Sequence, residues 1–324
     1  MICYLLVNFG GPRNKPEIAS FLEELLCDRD VIRTRFPTFI HNWFFGRVAR
    51  KRAIKMEGEY EFIGGKSPIY EDTEALAKIL TERLDAPVLT FHRYLPATHK
   101  DALQKIEASG AKEIRVLPLF PQFCYATTGS IARFFSKNLK MSTSLKLRWI
   151  QSYAAATPFV KSYQMRIANF LKAHSLNEEE TILLFSAHGV PKTFIETGDI
   201  YESECIRSYK EVMKAFPKTL GKLAYQSKFG KGAWLQPYTN EVCEQILQWH
   251  EGRMHLVFIP ISFTSDHIET LFEMERQYLP IIAAKGLKAY RCPALNLEPY
   301  WIDALIELFQ EKNLCSNQTL IRNK

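Results

Sequence analysis

The chain has 324 residues, of which 47% are apolar and 24% are charged. These ordinary values exclude a disordered chain, a collagen-like chain and a disulfide-stapled miniature protein, and the length predicts about two domains. The formal net charge is +7. Residues 29–55 carry the whole excess, with eight basic side chains and one acidic side chain, so the rest of the chain is formally neutral.

Short apolar runs alternate with helical patterns along the chain. The first half predicts helices at 16–26, 73–84 and 100–108 and strands at 2–9, 88–94, 114–120 and 145–153. The alternation then begins again, with helices at 158–174, 203–216, 241–250, 266–277 and 300–311 and strands at 181–187, 220–227, 255–263 and 287–291. Apolar strands that alternate with helices are typical of an α/β fold with parallel sheets flanked by helices.

The two halves share an order of features. Each opens with an apolar strand that ends at a glycine–proline turn, and each later has a strand interrupted by proline. We therefore predict two similar domains, 1–150 and 151–324, with the closing helix 300–311 as a candidate to pack back on the first. Because ligands of such folds bind beyond the carboxyl ends of the strands, we expect the active site in a cleft between the domains.

The seven cysteines favour a reducing compartment. Their number is odd and no C-x-x-C motif occurs, which favours free thiols in a cytoplasmic protein over a disulfide framework. The N-terminal run lacks the basic lead and small-residue cleavage site of a signal peptide, and it predicts a first strand. No apolar run approaches the ~18–20 residues that a membrane-spanning helix needs.

The common nucleotide-binding motifs of α/β proteins are absent. The pair Gly230 and Gly232 has no third glycine at the required offset for a dinucleotide site. The run from Gly65 to Ser67 resembles the end of a phosphate-binding loop, but Tyr60 stands where its first glycine belongs. These failures disfavour phosphate-bearing cofactors.

Two segments carry the side chains best suited to chemistry. After the strand 255–263, Glu269 and Glu273 are spaced i,i+4 and Asp266 joins them at i−3, while His267 points elsewhere on the helix. Three carboxylates on one stripe can handle protons or hard cations; the alternative is a helix start whose acids favour the dipole. His188 ends the buried strand 181–187 before a Gly-Val-Pro turn, as a proton acceptor, a metal ligand or a structural histidine.

Six segments of the chain, in order, resemble the ferrochelatase family. The most specific are Ser186-Ala187-His188 and the run Ser-Asp-His-Ile-Glu-Thr-Leu at 265–271. The segments are 6–12, 63–68, 127–130, 185–191, 225–228 with 234–235, and 263–271. The resemblance implies two Rossmann-like domains and the insertion of ferrous iron into a porphyrin, the last step of haem synthesis.

The resemblance also implies roles for these residues. His188 is expected to accept a pyrrole proton or to bind iron, and Glu269 to act opposite it as a metal ligand or proton relay. Glu273 would extend a track for iron or protons, which Asp266 and His267 would help to orient. The porphyrin is expected to contact six residues: Phe9, Arg93, Tyr94, Ser227, Trp234 and Phe263.

The family resemblance leaves the substrate and two other functions open. The sequence of residues 265–271 favours protoporphyrin IX as the substrate, with coproporphyrin III as the alternative. A chelatase for another metal, such as cobalt, shares the fold, and a non-catalytic porphyrin or haem carrier would need neither His188 nor Glu269. We expect no permanently bound cofactor. We also expect no iron–sulfur cluster, because Cys124 lies one position earlier than the cluster cysteine of the family's animal enzymes. Only Cys292 and Cys315 lie near the C-terminus, where those enzymes have three clustered cysteines.

The basic window 29–55 interleaves its charge with aromatic residues. Its simplest interpretation is a solvated helix face. The mixture also suits an interfacial segment on an anionic membrane, which fits a lipophilic, dianionic porphyrin as substrate. Since the rest of the chain offers no second basic patch, we expect a cytoplasmic protein with peripheral membrane contact and no nucleic-acid partner. The oligomeric state is left open.

Overall fold

Residues 2–140 and 145–322 are described by the computed structural model, which divides the chain into two units. The first unit is Met1–Ser152 with Leu305–Lys324, and the second is Tyr153–Ala304. The C-terminal segment therefore belongs with the first unit, whereas the predicted second domain extended to residue 324.

The strands that build the two sheets are β1 (Ile2–Asn8), β2 (Val88–His92), β3 (Glu113–Pro118), β4 (Lys146–Trp149), β5 (Thr181–His188), β6 (Leu220–Gln226), β7 (His255–Ile259), β8 (Lys288–Arg291) and β9 (Cys315–Ser316). The first unit has the order β2-β1-β3-β4-β9, in which only the β4–β9 pair is antiparallel. The second has the order β6-β5-β7-β8 and is parallel throughout. The predicted parallel sheets are confirmed, and each predicted strand is present with its ends shifted by a few residues.

The α-helices are α1 (Glu17–Cys27), α2 (Thr38–Phe62), α3 (Ile69–Leu84), α4 (Pro96–Glu107), α5 (Ser130–Asn138), α6 (Thr157–Ala173), α7 (Lys192–Glu196), α8 (Tyr201–Met213), α9 (Thr239–Glu244), α10 (Ile246–Trp249), α11 (Leu279–Ala284) and α12 (Pro299–Phe309). Short 3₁₀ turns span Glu178–Glu180 and Asn317–Leu320. Two π-helices, Tyr125–Gly129 and Glu269–Tyr278, follow β3 and β7. Within the described ranges, no helix combines the length and apolarity needed to cross a bilayer.

The C-terminal segment is part of the core of the first unit. β9 pairs with β4, and the Asn317 side-chain amide donates hydrogen bonds to the Ala132 carbonyl and to Ser136 Oγ, both at 2.8 Å. Leu320 is fully buried in the same apolar cluster as Phe135. No periodic pattern predicted β9, because two residues are too few to show one.

Replacement of Leu320 by Ala should destabilise the first unit by about 2–5 kcal/mol, because it leaves a cavity in a packed core. The measurement is urea unfolding followed by tryptophan fluorescence. Leu247→Ala is the matched control, since Leu247 is 55% exposed and its truncation should leave the midpoint almost unchanged. Equal midpoints for wild type and Leu320→Ala would contradict this account of the C-terminal segment.

Candidate active site

An imidazole and a carboxylate meet at the carboxyl edge of the second sheet. His188 is the last residue of β5, and Glu269 begins the π-helix that follows the neighbouring strand β7. His188 Nδ1 and Glu269 Oε2 lie 2.8 Å apart. The side chains are 37% and 25% exposed, so the pair faces solvent on one side. Parallel strands bring their carboxyl ends to one edge, which is why residues 81 positions apart make this contact.

Each member of this pair shifts the pKa of the other in the direction that favours the charged form. Burial lowers the pKa of His188, but the charge of Glu269, the hydrogen bond to it and the charge of Glu273 outweigh burial and raise that pKa. Burial likewise opposes the Glu269 carboxylate, yet the His188 charge and hydrogen bond lower the pKa of Glu269 to about 2. The arrangement therefore stabilises an imidazolium beside a carboxylate.

Glu273 lies one turn further along the π-helix and is held by the end of β6. Its Oε1 accepts hydrogen bonds from Tyr278 Oη (2.5 Å) and the Ser227 main-chain N–H (3.0 Å). Its Oε2 accepts from Ser227 Oγ (2.5 Å) and Gln226 Nε2 (3.2 Å). Burial, and then the nearby charge of Glu269, raise the pKa of Glu273. The two glutamates of the predicted stripe thus share one end of the sheet, but their pKa values are shifted in opposite directions.

The prediction that Asp266 shares this stripe is wrong. Its carboxylate is buried and accepts hydrogen bonds from Thr270 Oγ1 (2.8 Å), Arg291 Nη1 (2.9 Å) and Asn296 Nδ2 (2.9 Å). The physical reason is that the π-helix begins at Glu269, so Asp266 stands in the preceding turn, where the Arg291 charge attracts it. Asp266 therefore anchors the start of the helix.

His267 approaches the pair instead of pointing away from it. Its Nε2 lies 3.9 Å from Glu269 Oε2, and its ring packs on Phe263 with centroids 4.6 Å apart. Burial lowers the pKa of His267, although Glu269 and Asp266 act in the other direction. Phe263 also stands perpendicular to the His188 ring at 6.4 Å. The rings of Phe263 and His267 thus lie together on one side of the His188–Glu269 pair.

Two further predicted contacts lie on the turns beside His188. Trp234 forms a β-bridge with Pro191, and a Cβ added at Gly189 would meet Trp234 Cε3 at 3.4 Å and the Gln226 carbonyl at 2.8 Å. Glycine at 189 thus permits the close approach of the two turns. Ser227, which was expected to contact the porphyrin, donates its hydroxyl to Glu273.

Phe9, Arg93 and Tyr94 belong to the first unit. The Phe9 ring is half-buried against Tyr94, with centroids 4.5 Å apart. The Arg93 guanidinium pairs with Glu24 at 2.6 Å and Asp28 at 2.8 Å, and Tyr94 Oη donates to Asp28 at 3.0 Å. Tyr94 is fully buried and the Arg93 side chain is only 10% exposed, so neither offers the ligand-facing surface that a porphyrin contact needs. The carboxylates of Glu24 in α1 and of Asp28, which directly follows α1, already satisfy the Arg93 charge.

Sequence reasoning missed several side chains that hold the site. Tyr201 Oη donates to the His188 carbonyl at 2.9 Å, and Ser262 Oγ accepts from the His188 main-chain N–H at 3.3 Å. Tyr278 was missed because an α-helix would not bring it to Glu273, whereas the i→i+5 bonding of a π-helix does. In the described part of the chain, no group of three or more His, Cys, Asp or Glu side chains could hold a metal.

Replacement of Glu269 by Gln should lower the pKa of His188, because burial remains while the charge that opposes it is removed. Titration of ¹⁵N-histidine-labelled protein by NMR measures this directly. Glu275→Gln is the control, since that carboxylate lies on the same helix but pairs with Arg291. An unchanged His188 titration in Glu269→Gln would contradict the ion-pair assignment.

Comparison with known proteins identifies the family of this chain. The ferrochelatase family model matches residues 2–313. The chain is 41% identical to a ferrochelatase of Chlamydia caviae and 42% identical to one of Chlamydia abortus, in each case over 99% of both chains. It is 43% identical to a ferrochelatase of Chlamydia felis over 98% of both chains.

Solved structures share the fold at much lower sequence identity. A structure described as SirB from Bacillus subtilis with Fe3+ superposes with a TM-score of 0.54 at 13% identity, covering 96% of this chain and 94% of that one. The family resemblance and the α/β fold predicted from the sequence are thereby confirmed. By its family match over nearly the whole length, this chain belongs to the ferrochelatase family, the metal chelatases that insert a metal into a porphyrin.

Proposed function

We propose that the protein inserts Fe²⁺ into protoporphyrin IX, giving protohaem and two protons. The His188–Glu269 pair is the observation that carries this proposal. Metal insertion must remove two protons from the inner nitrogens of the macrocycle, so the site needs a base that can accept a proton without a large cost. An imidazole whose cation is stabilised by an adjacent carboxylate meets that need.

The geometry favours His188 as the proton acceptor. With Nδ1 bonded to Glu269, neutral His188 would carry its proton on Nδ1 and present the lone pair of Nε2. Within residues 2–140 and 145–322, no hydrogen bond to Nε2 is seen. When a pyrrole proton arrives at Nε2, the negative charge of Glu269 stabilises the imidazolium that forms.

Glu269 and Glu273 then have different parts in the reaction. The lowered pKa of Glu269 keeps a carboxylate next to His188, which suits charge stabilisation or a brief contact with the incoming Fe²⁺. Glu273 is held by four donors, so its part is to orient Ser227, whose hydroxyl lies 3.3 Å from Glu269 Oε2. Two protein ligands at most would hold the iron loosely, as expected for a substrate that must move on to the porphyrin nitrogens.

We assign the apolar contacts of the porphyrin to half-buried rings. Phe263 and Trp234 stand beside His188 in the second unit. Large aromatic walls suit a macrocycle that is itself mostly apolar. The sequence of residues 265–271 favours protoporphyrin IX over coproporphyrin III as the substrate.

No permanently bound cofactor is included in this proposal. The seven cysteines all lie within the described residues, and none contributes to a group of three or more His, Cys, Asp or Glu side chains that could hold a metal. Iron enters as a substrate.

His188→Ala and Glu269→Ala should abolish iron insertion while the porphyrin still binds. The test is anaerobic incubation with Fe²⁺ and, in parallel, protoporphyrin IX or coproporphyrin III, followed by absorption spectroscopy. His250→Ala is the control, because that imidazole bonds only to a nearby carbonyl, that of Arg253. Full activity in either site variant would remove the role given to that residue. Porphyrin binding by the wild type without insertion would favour the carrier function.

We also propose that α2 rests on an anionic membrane. One side of this helix, which includes His41, Ala49 and Met56, is buried in the first unit. The opposite side of the helix is exposed, as is Phe36 just before it. We call these aromatic, aliphatic and basic side chains the basic-aromatic face: Phe36, Phe39, Ile40, Trp43, Phe44, Arg47, Arg50 and Lys51.

The chemistry of the basic-aromatic face matches a lipid headgroup region. Phe39 is 73% exposed and Trp43 60%, and the Arg47 guanidinium lies 4.9 Å from the centre of the Trp43 ring. Aromatic rings favour the interface, and each basic residue near an anionic surface is worth about 1 kcal/mol. A membrane would also hold a poorly soluble porphyrin near the protein.

The protein should sediment with vesicles that contain phosphatidylserine, and salt should weaken this binding because its charge component is screened. Phe39→Ser combined with Trp43→Ser should reduce the bound fraction severalfold. The control is Leu247→Ser with Met254→Ser, which removes exposed apolar side chains of the second unit. No sedimentation with anionic or neutral vesicles would refute the proposal.

A further inference from the structure

We propose that Tyr278 is a positioning residue that acts through Glu273 on the His188–Glu269 pair; this inference rests on the proposed function. Tyr278 Oη donates a hydrogen bond of 2.5 Å to Glu273 Oε1. Among the described residues, Tyr278 makes no hydrogen bond to His188 or Glu269, so it reaches this pair through Glu273 and the neighbouring main chain of Ser227.

The Glu273 carboxylate is fully engaged by the protein. Tyr278 Oη and the Ser227 N–H donate to Oε1, and Ser227 Oγ and Gln226 Nε2 donate to Oε2. A carboxylate offers about four lone-pair sites, so four donors saturate it. A saturated carboxylate holds one orientation, and it has no free lone pair with which to follow a metal ion.

Ser227 shows what this orientation supports. Its φ of +62° is in the left-handed region, which costs energy for a residue other than glycine. Both its N–H and its hydroxyl bond to Glu273, and the same hydroxyl lies 3.3 Å from Glu269 Oε2. Glu273 therefore stabilises a strained turn whose side chain bridges the two glutamates.

The same turn is linked to the chain beside His188. Gln226 accepts a hydrogen bond from the Gly189 N–H at 2.8 Å, and its side-chain amide donates to the Glu269 carbonyl at 3.2 Å. A change in the orientation of Glu273 would thus reach both members of the catalytic pair through Ser227 and Gln226.

Tyr278 is suited to fix Glu273 because the Tyr278 ring is itself immobilised. The residue is 6% exposed and its ring stacks on Phe258 with centroids 6.0 Å apart and an interplanar angle of 17°. Phe258 lies in β7, inside the apolar core of the second unit. The hydroxyl is therefore presented from a rigid base to the carboxylate one π-turn earlier.

Tyr278→Phe should lower kcat for iron insertion about tenfold and leave KM for the porphyrin unchanged. The ring and its packing remain, so the melting temperature should fall by only a few degrees. Tyr225→Phe is the matched control: Tyr225 is also buried in the second unit, but its hydroxyl has no hydrogen-bond partner among the described residues. It should leave kcat unchanged.

A double-mutant cycle with Glu273→Ala separates positioning from a general effect on stability. If Tyr278 acts through Glu273, adding Tyr278→Phe to Glu273→Ala should change kcat less than twofold. Additive losses in the cycle, or a wild-type kcat in Tyr278→Phe, would overturn the inference. Absence of iron insertion by the wild type would refute the proposed function itself, so the two failures are distinguishable.

Discussion

The hydrogen bond between His188 Nδ1 and Glu269 Oε2 joins two strand ends that are far apart in sequence, and the rest of the second unit's site is arranged around it. Its 2.8 Å length sets the tautomer of the imidazole and favours the cation on His188 and the anion on Glu269. The hydroxyls of Tyr201 and Ser262 form hydrogen bonds with the main chain of His188 and hold it in place. The result is an imidazole that is held in place yet partly open to solvent.

The π-helix Glu269–Tyr278 is the second structural constraint. A π-helix is wider than an α-helix and leaves i and i+5 in contact, which places Tyr278 under Glu273. Because this helix begins only at Glu269, Asp266 stands before it, in a buried cluster with Arg291 and Asn296. A π-helix also follows β3 in the first unit, so the two units share this device as well as their parallel sheets. Such helices are uncommon and frequently mark functional sites.

The first unit has basic side chains of two kinds, one buried and paired with carboxylates and the others exposed. Arg93 is a buried cation whose charge is balanced by Glu24 and Asp28, and it stabilises the end of the sheet. In α2, Arg47, Arg50 and Lys51 are instead exposed, and the Arg47 guanidinium lies over the Trp43 ring. Five of the eight basic residues in 29–55 are exposed and three are half-buried, so most of this charge is at the surface, where an anionic partner would act.

The sequence by itself determined the fold class and the family, and it singled out His188, Glu269 and Glu273 as candidate site residues. Apolar strands alternating with helices allow few arrangements, and a histidine at a strand end or glutamates spaced by four residues are visible in one dimension. Only the tertiary structure decided that Asp266 leaves the stripe, that Arg93 and Ser227 are committed to protein carboxylates, and that Tyr278 joins the site. The physical reason is that each of these depends on a partner distant in sequence, or on a helix type whose wider turn has no signature in the pattern of residues.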